Sequence, residues 1–486
     1  MARTELTQAP NLIGGRLPSQ TGATPSTDPR LPSRESAGGG DDRVDRRPIS
    51  RPHHVAFWVT AAAFLVGMGF SAVPTPLYVL YQRRDHLSDL MVTVVYAVYA
   101  LGVVASLFLG GHLSDRIGRR RVLVPALAAS VVSALVFIFE PNLAGLLVAR
   151  VVSGVSVGLT TATATGYLAE LHAAARPQAG GRRGEVVATA SNLGGIGVGP
   201  LAAGLLAQFA PDPLRLSYVV FGAAIALLAV AVARSPETVR RPAIRPAYRP
   251  QRIAVPPRSR RTFFAATLAG AASFAVYGVF NSLAPSFLAG TMHEQSHAVA
   301  GAVAFAAFAA GAVAQIAQRR VSNRNVLRRS VPTVVVGLGL LAGAMWVGDL
   351  AMFVIGGVIT GAGAGMVFKG SLVAAASTAP DGARAEVLAG FFLGAYVGLS
   401  VPVVGLGVAT TYAPARDVML VFVALAAAAI AAAVRPLVAH RDDPVPTTAA
   451  PTTGPGTVAL PSSAAAGEFA HRVAAPSPQH SDADVT

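Results

Sequence analysis

The chain has 486 residues, of which 53% are hydrophobic and 13% charged, with a formal net charge of +15 and a mean hydropathy of +0.53. A soluble domain carries about a quarter of its residues as charges, so this composition excludes an ordinary water-soluble globule and points to lipid. Cysteine is absent, which removes disulfides and thiolate metal sites from consideration.

Residues 1–53 are rich in Pro, Gly, Ser, Thr and Arg and contain no apolar core segment. They read as a disordered tail, neither a signal peptide nor a helix. Twelve apolar runs long enough to cross a hydrocarbon core of ~30 Å follow. They fall near 55–81, 90–112, 122–139, 143–170, 185–209, 215–233, 262–290, 297–318, 330–347, 351–378, 385–409 and 414–438. A basic, proline-punctuated linker at 235–261 divides them six and six, giving expected domains at 54–234 and 262–439. A second disordered tail is expected at 440–486.

The loop charges orient the chain. With both termini inside, the inner loops hold 22 arginines, against four (Arg83, Arg84, Arg215 and Arg416) outside. The positive-inside rule therefore places both termini in the cytoplasm. The same arginines read as topology signals and contacts to anionic lipid, which leaves no role for nucleic acid. The arginine and alanine bias suggests a bacterial chain, so the expected location is a bacterial inner membrane.

The two halves echo each other. Arg183-Gly-Glu-Val-Val-Ala188 precedes the fifth run and Arg384-Ala-Glu-Val-Leu-Ala389 the eleventh. Val151-Val-Ser-Gly154 has its counterpart in Val358-Ile-Thr-Gly361, and Pro74-Thr-Pro-Leu77 in Pro285-Ser-Phe-Leu288. A duplicated six-helix unit places a substrate site between the copies near mid-membrane.

Between the second and third runs, residues 110–123 read Gly-Gly-His-Leu-Ser-Asp-Arg-Ile-Gly-Arg-Arg-Arg-Val-Leu. This resembles the signature loop of the major facilitator superfamily, Gly-x-Leu-x-Asp-Arg-x-Gly-Arg-Arg. Gly111, Leu113, Asp115, Arg116, Gly118, Arg119 and Arg120 supply the matching positions. The resemblance covers roughly residues 55–438. It implies an all-α membrane protein of twelve transmembrane helices in two pseudo-symmetric six-helix bundles, working by alternating access. It also implies that Asp115 meets the positive end of the eleventh helix and gates the cytoplasmic side. The alternative is a solvated loop acid balancing its arginine neighbours.

Tyr167-Leu-Ala-Glu170, with Arg182, Arg183 and Gly184, resembles a sugar-porter element in which the acid pairs with loop arginines; Arg119 or Arg116 is the expected partner. Pro236-Glu237-Thr238 is similar to the Pro-Glu-Ser/Thr element of the same transporters. Arg150 lies two turns into the fourth run, ahead of Gly154 and Gly158, and resembles a fourth-helix motif associated with proton coupling. Intramembrane charge is a functional hypothesis by default, the alternative here being a side chain snorkelling to the interface. Lys369, the only lysine, continues the spacing of Gly357, Gly361 and Gly365 on the matching helix and either touches cargo, couples by losing its proton when desolvated, or snorkels.

Gly195, Gly199, Pro200 and Gly204 resemble a drug/proton antiporter motif, although the usual glycine pair after the proline is missing. Ordinary close helix packing would use the same residues. Tyr78, Tyr167, Asn192, Tyr277, Asn281 and Tyr396 are candidate cavity liners or, equally, interhelical packing groups.

No Asp or Glu sits mid-run, so the cavity leans positive or neutral and accepts anionic or neutral cargo. There is no phosphate-binding loop and no metal cluster, so neither a cofactor nor ATP drive is expected. The first reading is proton-coupled efflux of a small organic molecule by a monomeric carrier in lipid. The second is import of a sugar or metabolite. A lipid-modifying membrane enzyme is the remote alternative, with His293, Glu294 and His297 as its only cluster.

Overall fold

Hydrocarbon offers no hydrogen-bond partners, so a chain of this composition must satisfy its backbone internally, and helices do so within each segment. The computed structural model describes residues 50–177, 180–239, 256–380 and 383–439. Both expected tails lie outside these residues, apart from positions 50–53, and so does the middle of the 235–261 linker. Among these residues, twelve helices are long and apolar enough to span a membrane. In order they are Arg51–Asp85, Asp89–Gly110, Arg119–Phe139, Leu143–Ala175, Arg182–Phe209, Pro213–Ala233, Pro257–Ser282, His297–Arg320, Asn323–Val347, Leu350–Ala376, Glu386–Ala409 and Ala415–Ala439. No strand occurs among the described residues. An even number of crossings returns the chain to the side on which it began. That side is called the near face here, and the opposite side the far face.

All twelve expected spans are present, half of them with helix extended into the flanking arginines. The third begins at Arg119 rather than 122 and the ninth at Asn323 rather than 330. Arg120 and Arg121, like Arg324, Arg328 and Arg329, therefore stand in helical turns instead of loops. Arginine is a good helix former whose long stem can lie along apolar surface with its head in water. For the same reason the linker ends early, with Arg260 and Arg261 opening the seventh span.

The first and seventh spans are each broken in two. The first is Arg51–Ala72 followed by Pro74–Asp85, and the seventh is Arg260–Ser282 followed by Ala284–Thr291. The matching prolines explain both breaks. Pro74, Pro76 and Pro285 have no N–H to donate to the preceding turn.

Packing repeats with the sequence. The fourth span lies against the first, second and third, and the tenth against the seventh, eighth and ninth. The first span meets the fifth and sixth as the seventh meets the eleventh and twelfth; the third meets the sixth as the ninth meets the twelfth. Across the halves, the fifth packs on the eighth and the eleventh on the second. Adding six to each span number reproduces the arrangement, which is the internal symmetry of a duplicated bundle. Each half buries its own apolar core. Phe64, Phe70, Phe137 and Tyr218 lie in the first, with Phe137 and Tyr218 stacked at 4.3 Å. Phe280, Leu338, Phe353 and Phe422 lie in the second. Small residues set the closest approaches. A side chain at Gly154 would strike the Tyr99 carbonyl, and one at Gly361 would strike that of Ala307.

Candidate functional site

Polar side chains gather in two places, a charged network at the near face and a buried cluster toward the far face. The near-face network is built on the short turn between the second and third spans. A five-residue helix, Leu113–Ile117, ends at Gly118, whose φ of 116° belongs to the region that favours glycine. A side chain there would also meet the Glu237 carboxylate. That carboxylate instead accepts from the Arg119 backbone N–H at 2.8 Å, satisfying an otherwise unpaired donor at the start of the third span.

The Arg119 side chain is the hub. Its Nε and Nη2 donate to Glu170 Oε1 at 3.1 and 2.7 Å, and its Nη1 donates to Ser114 Oγ at 2.8 Å. Nη1 also pairs with Asp115 at 2.5 Å. Thr238 Oγ1 donates to Glu170 Oε2, Tyr167 Oη donates to the Pro236 carbonyl, and Arg120 Nη1 donates to the Ser235 carbonyl at 3.0 Å. Arg119 rather than Arg116 is thus the partner of Glu170, and Pro236-Glu237-Thr238 joins the same network. Asp115, expected at the end of the eleventh span, is paired within its own turn and remains 56% exposed. Gly111 continues the second span as its C-cap, and Arg116 is half-buried beside it. Burial and the neighbouring Arg116 charge hold His112 below its ordinary pKa.

The second cluster surrounds Arg150, which is 2% exposed. Its Nη1 donates to the Ser71 carbonyl at 2.7 Å, just ahead of the break in the first span. Its guanidinium lies 4.7 Å from the Tyr99 ring centroid and 5.5 Å from that of Tyr96, cation–π distances. Tyr78 lies in the same buried core cluster as Tyr96 and Tyr99, and Asn281 is buried as well. Tyr396 of the other half packs against the same core cluster as Tyr96 and Tyr99. The sequence reading named Arg150, Tyr78, Asn281 and Tyr396 but missed Ser71, Tyr96 and Tyr99. The i, i+3 spacing of the two tyrosines on one helix face was the available signal.

Between this cluster and the far face, hydrogen bonds join the two halves. Pro285 leaves the Asn281 carbonyl, four residues back, without its helical donor. Thr75 Oγ1 of the opposite half donates to that carbonyl at 2.9 Å and to Asn281 Oδ1 at 3.2 Å. Ser286, the sequence counterpart of Thr75, donates to Gln82 Oε1 at 3.2 Å. Each broken span therefore sends the hydroxyl after its proline into the other half. Farther out, Arg83 bonds Gln295, and the His297 N–H donates to Gln208 Oε1 at 3.0 Å.

The remaining candidates lie elsewhere. Lys369 is half-buried, with Nζ donating to the Gln315 carbonyl on the eighth span at 2.8 Å. Tyr277 donates to the Gly361 carbonyl at 2.8 Å and stacks on Phe308, within the second half. Tyr167 belongs to the near-face network, and Asn192 is half-buried on the fifth span, outside the bonds of the Arg150 cluster. Gly158 faces Ser106, while Gly195 and Gly199 face Leu65 and Gly69 of the first span. Gly204 and Pro200 pack on His297 and Gly301 of the eighth. The fifth-span motif thus makes close helix contacts on both sides of the boundary between the halves. In the enzyme alternative's cluster, Glu294 Oε1 accepts from the Ser296 N–H at the start of the eighth span.

Comparison with known proteins agrees with this architecture. An arabinose-proton symporter of Bacillus subtilis is 28% identical over 128 residues, 25% of this chain and 28% of the relative. An uncharacterised MFS-type transporter of Methanocaldococcus jannaschii is 27% identical over 151 residues, 31% of this chain and 37% of the relative. A second such transporter, from Bacillus subtilis, is 32% identical over 87 residues, 18% and 22% of the two chains. The matched segments span less than two fifths of each of these relatives. The model of the Major Facilitator Superfamily matches residues 59–401, well over half the chain. This multi-pass membrane protein, with its twelve helices in two symmetric halves, belongs to that superfamily of transporters.

Proposed function

We propose that the chain is a secondary carrier exporting a small anionic or neutral organic molecule, coupled to protons and working by alternating access. The observation that carries this reading is the set of bonds joining the two broken spans above a buried cation, Thr75 to Asn281 and Ser286 to Gln82. Such bonds are few, lie on one side of the cluster and are replaceable by water, as a gate between two rigid halves requires. In this conformer the far face is shut. We read the near face as cytoplasmic from the charge pattern and the conformer as closed to the outside, in the bacterial inner membrane, with the carrier acting as a monomer.

Asp115, exposed and held by Arg119, is then the released form of the cytoplasmic latch. It reaches the eleventh span when the carrier turns outward. Lys369, half-buried near the cytoplasmic end, is the interior side chain able to exchange a proton, and we assign it the coupling role. A second reading, import by proton symport, is favoured by the arabinose-proton symporter among the relatives and by the Glu170–Arg119–Thr238 network. Counterflow in proteoliposomes with labelled acids, sugars and amines, with and without a pH gradient, tests both. Uptake into inside-out vesicles driven by an acidic lumen supports export. Uptake into right-side-out vesicles driven by outside acid supports import, and no movement of any class would contradict carrier function.

A further inference from the structure

Arg150 is a cation without a counter-ion. Arg84–Asp85, Arg119 with Asp115 and Glu170, and Arg416–Asp417 are ion pairs among the described residues, and none of them involves Arg150. Every described Asp and Glu stands at a span end or in a loop. Of the Arg150 donors, Nη1 is used by one carbonyl, while Nε is buried with no partner. The Tyr78 hydroxyl is likewise buried with no partner, in the same core cluster as the two rings that flank Arg150. A desolvated guanidinium held by a carbonyl and two rings is a poor structural device, since an apolar side chain of similar volume would pack there at less cost. Its idle donor edge suits a planar oxyanion, which a guanidinium takes with two parallel bonds.

We propose that Arg150 and Tyr78 form the recognition site for the carboxylate of a small organic monoanion. This rests on the carrier reading above and names its cargo class. The charge balance selects a monoanion. Arg150 lies seven residues into its span from the far face and Lys369 nineteen residues into its own, about 10 and 28 Å along the helices. The two cations therefore sit at different depths, and one carboxylate neutralises Arg150 alone. Tyr96 and Tyr99 cover the guanidinium, and Tyr396 of the other half packs against their core cluster. Cargo leaves the site toward the far face when the Thr75–Asn281 bond parts, so release and opening of the far face are linked.

The test uses the purified full-length protein in detergent, with thermal unfolding measured against acetate, hexanoate, octanoate and benzoate and against the corresponding amides. Counterflow of the same compounds is measured in proteoliposomes. The expected result is that at least one carboxylate raises the unfolding temperature while its amide does not. Arg150→Gln should weaken that carboxylate at least tenfold, Arg150→Lys less, and Tyr78→Phe about threefold. Without ligand, Arg150→Gln should unfold at or above the wild-type temperature, because an uncompensated buried charge has been removed. A purely structural arginine would instead lower it. The proposal is overturned if amides stabilise as well as acids, if no acid in the series binds, or if Arg150→Gln binds acids as the wild type does. Sugar or amine counterflow indifferent to Arg150→Gln would overturn this site and leave the carrier standing. Acid binding through Arg150 with no counterflow of any compound would remove the carrier reading and keep the site.

Discussion

The turn between the second and third spans and its counterpart between the eighth and ninth occupy the same place in the two halves, yet they are held in different ways. In the first, Arg119 gathers Asp115, Glu170 and Ser114, and Glu237 caps the third span. In the second, Asn323 donates to the Gly370 carbonyl and Arg324 to the Val438 carbonyl, both at 3.0 Å, while Arg319 and Arg320 are exposed. A carboxylate on a side chain can change partners when helices move, whereas a helix-end carbonyl moves with its helix. The difference teaches that duplication conserved the scaffold and left one copy free to become a fastening that lets go.

Substitutions in the two turns can break that comparison. Arg119→Ala strands two acids in a partly buried site and should have the largest effect. We expect a loss of about 2–4 kcal/mol in unfolding free energy and at least a tenfold drop in transport. Unfolding at the wild-type temperature would mean that the network is ornamental. Glu170→Gln keeps shape and some hydrogen bonding, so about 1–2 kcal/mol should be lost, measured the same way. Asp115→Asn, at a site more than half exposed, should cost under about 1 kcal/mol in stability. Its transport should nevertheless fall severalfold if the residue is a latch; unchanged transport and unchanged conformer populations would reduce Asp115 to a solvated loop acid. Arg324→Ala should do least, about 0.5–1 kcal/mol with transport retained, because its carbonyl partner can turn to water.

The contrast also marks what could be read in the sequence. Twelve spans were legible because hydrocarbon demands unbroken apolar runs, while the breaks in the first and seventh came from the structure, their prolines having been read only as a repeat. The pairing of Glu170 with an arginine of the signature loop was legible through the resemblance of Tyr167-Leu-Ala-Glu170 to the sugar-porter element, since the many arginines of that face do not single out one partner. Span ends were not, since Arg119–Arg121 and Arg324–Arg329 look like loop in composition and are helix in fact. The surroundings of Arg150 were hidden too. Ser71 contributes a carbonyl, which any residue could supply, and Tyr96 and Tyr99 read as ordinary apolar helix until a neighbouring span turns a cation toward them. The use of Thr75 on the carbonyl freed by Pro285 depends on two residues 206 positions apart, beyond the reach of local pattern.

The central claim is that the halves exchange one closed face for the other. It is tested most directly by distances between paired spin labels in nanodiscs, and the natural absence of cysteine makes labelling clean. Exposed Phe209 and Tyr412 report the far face, and exposed Gly181 and Arg320 the near face. The account predicts two populations for each pair. Asn281→Ala, or a bound carboxylate, should lengthen the far pair and shorten the near pair together. A single distance for each pair, unmoved by either change, would contradict it.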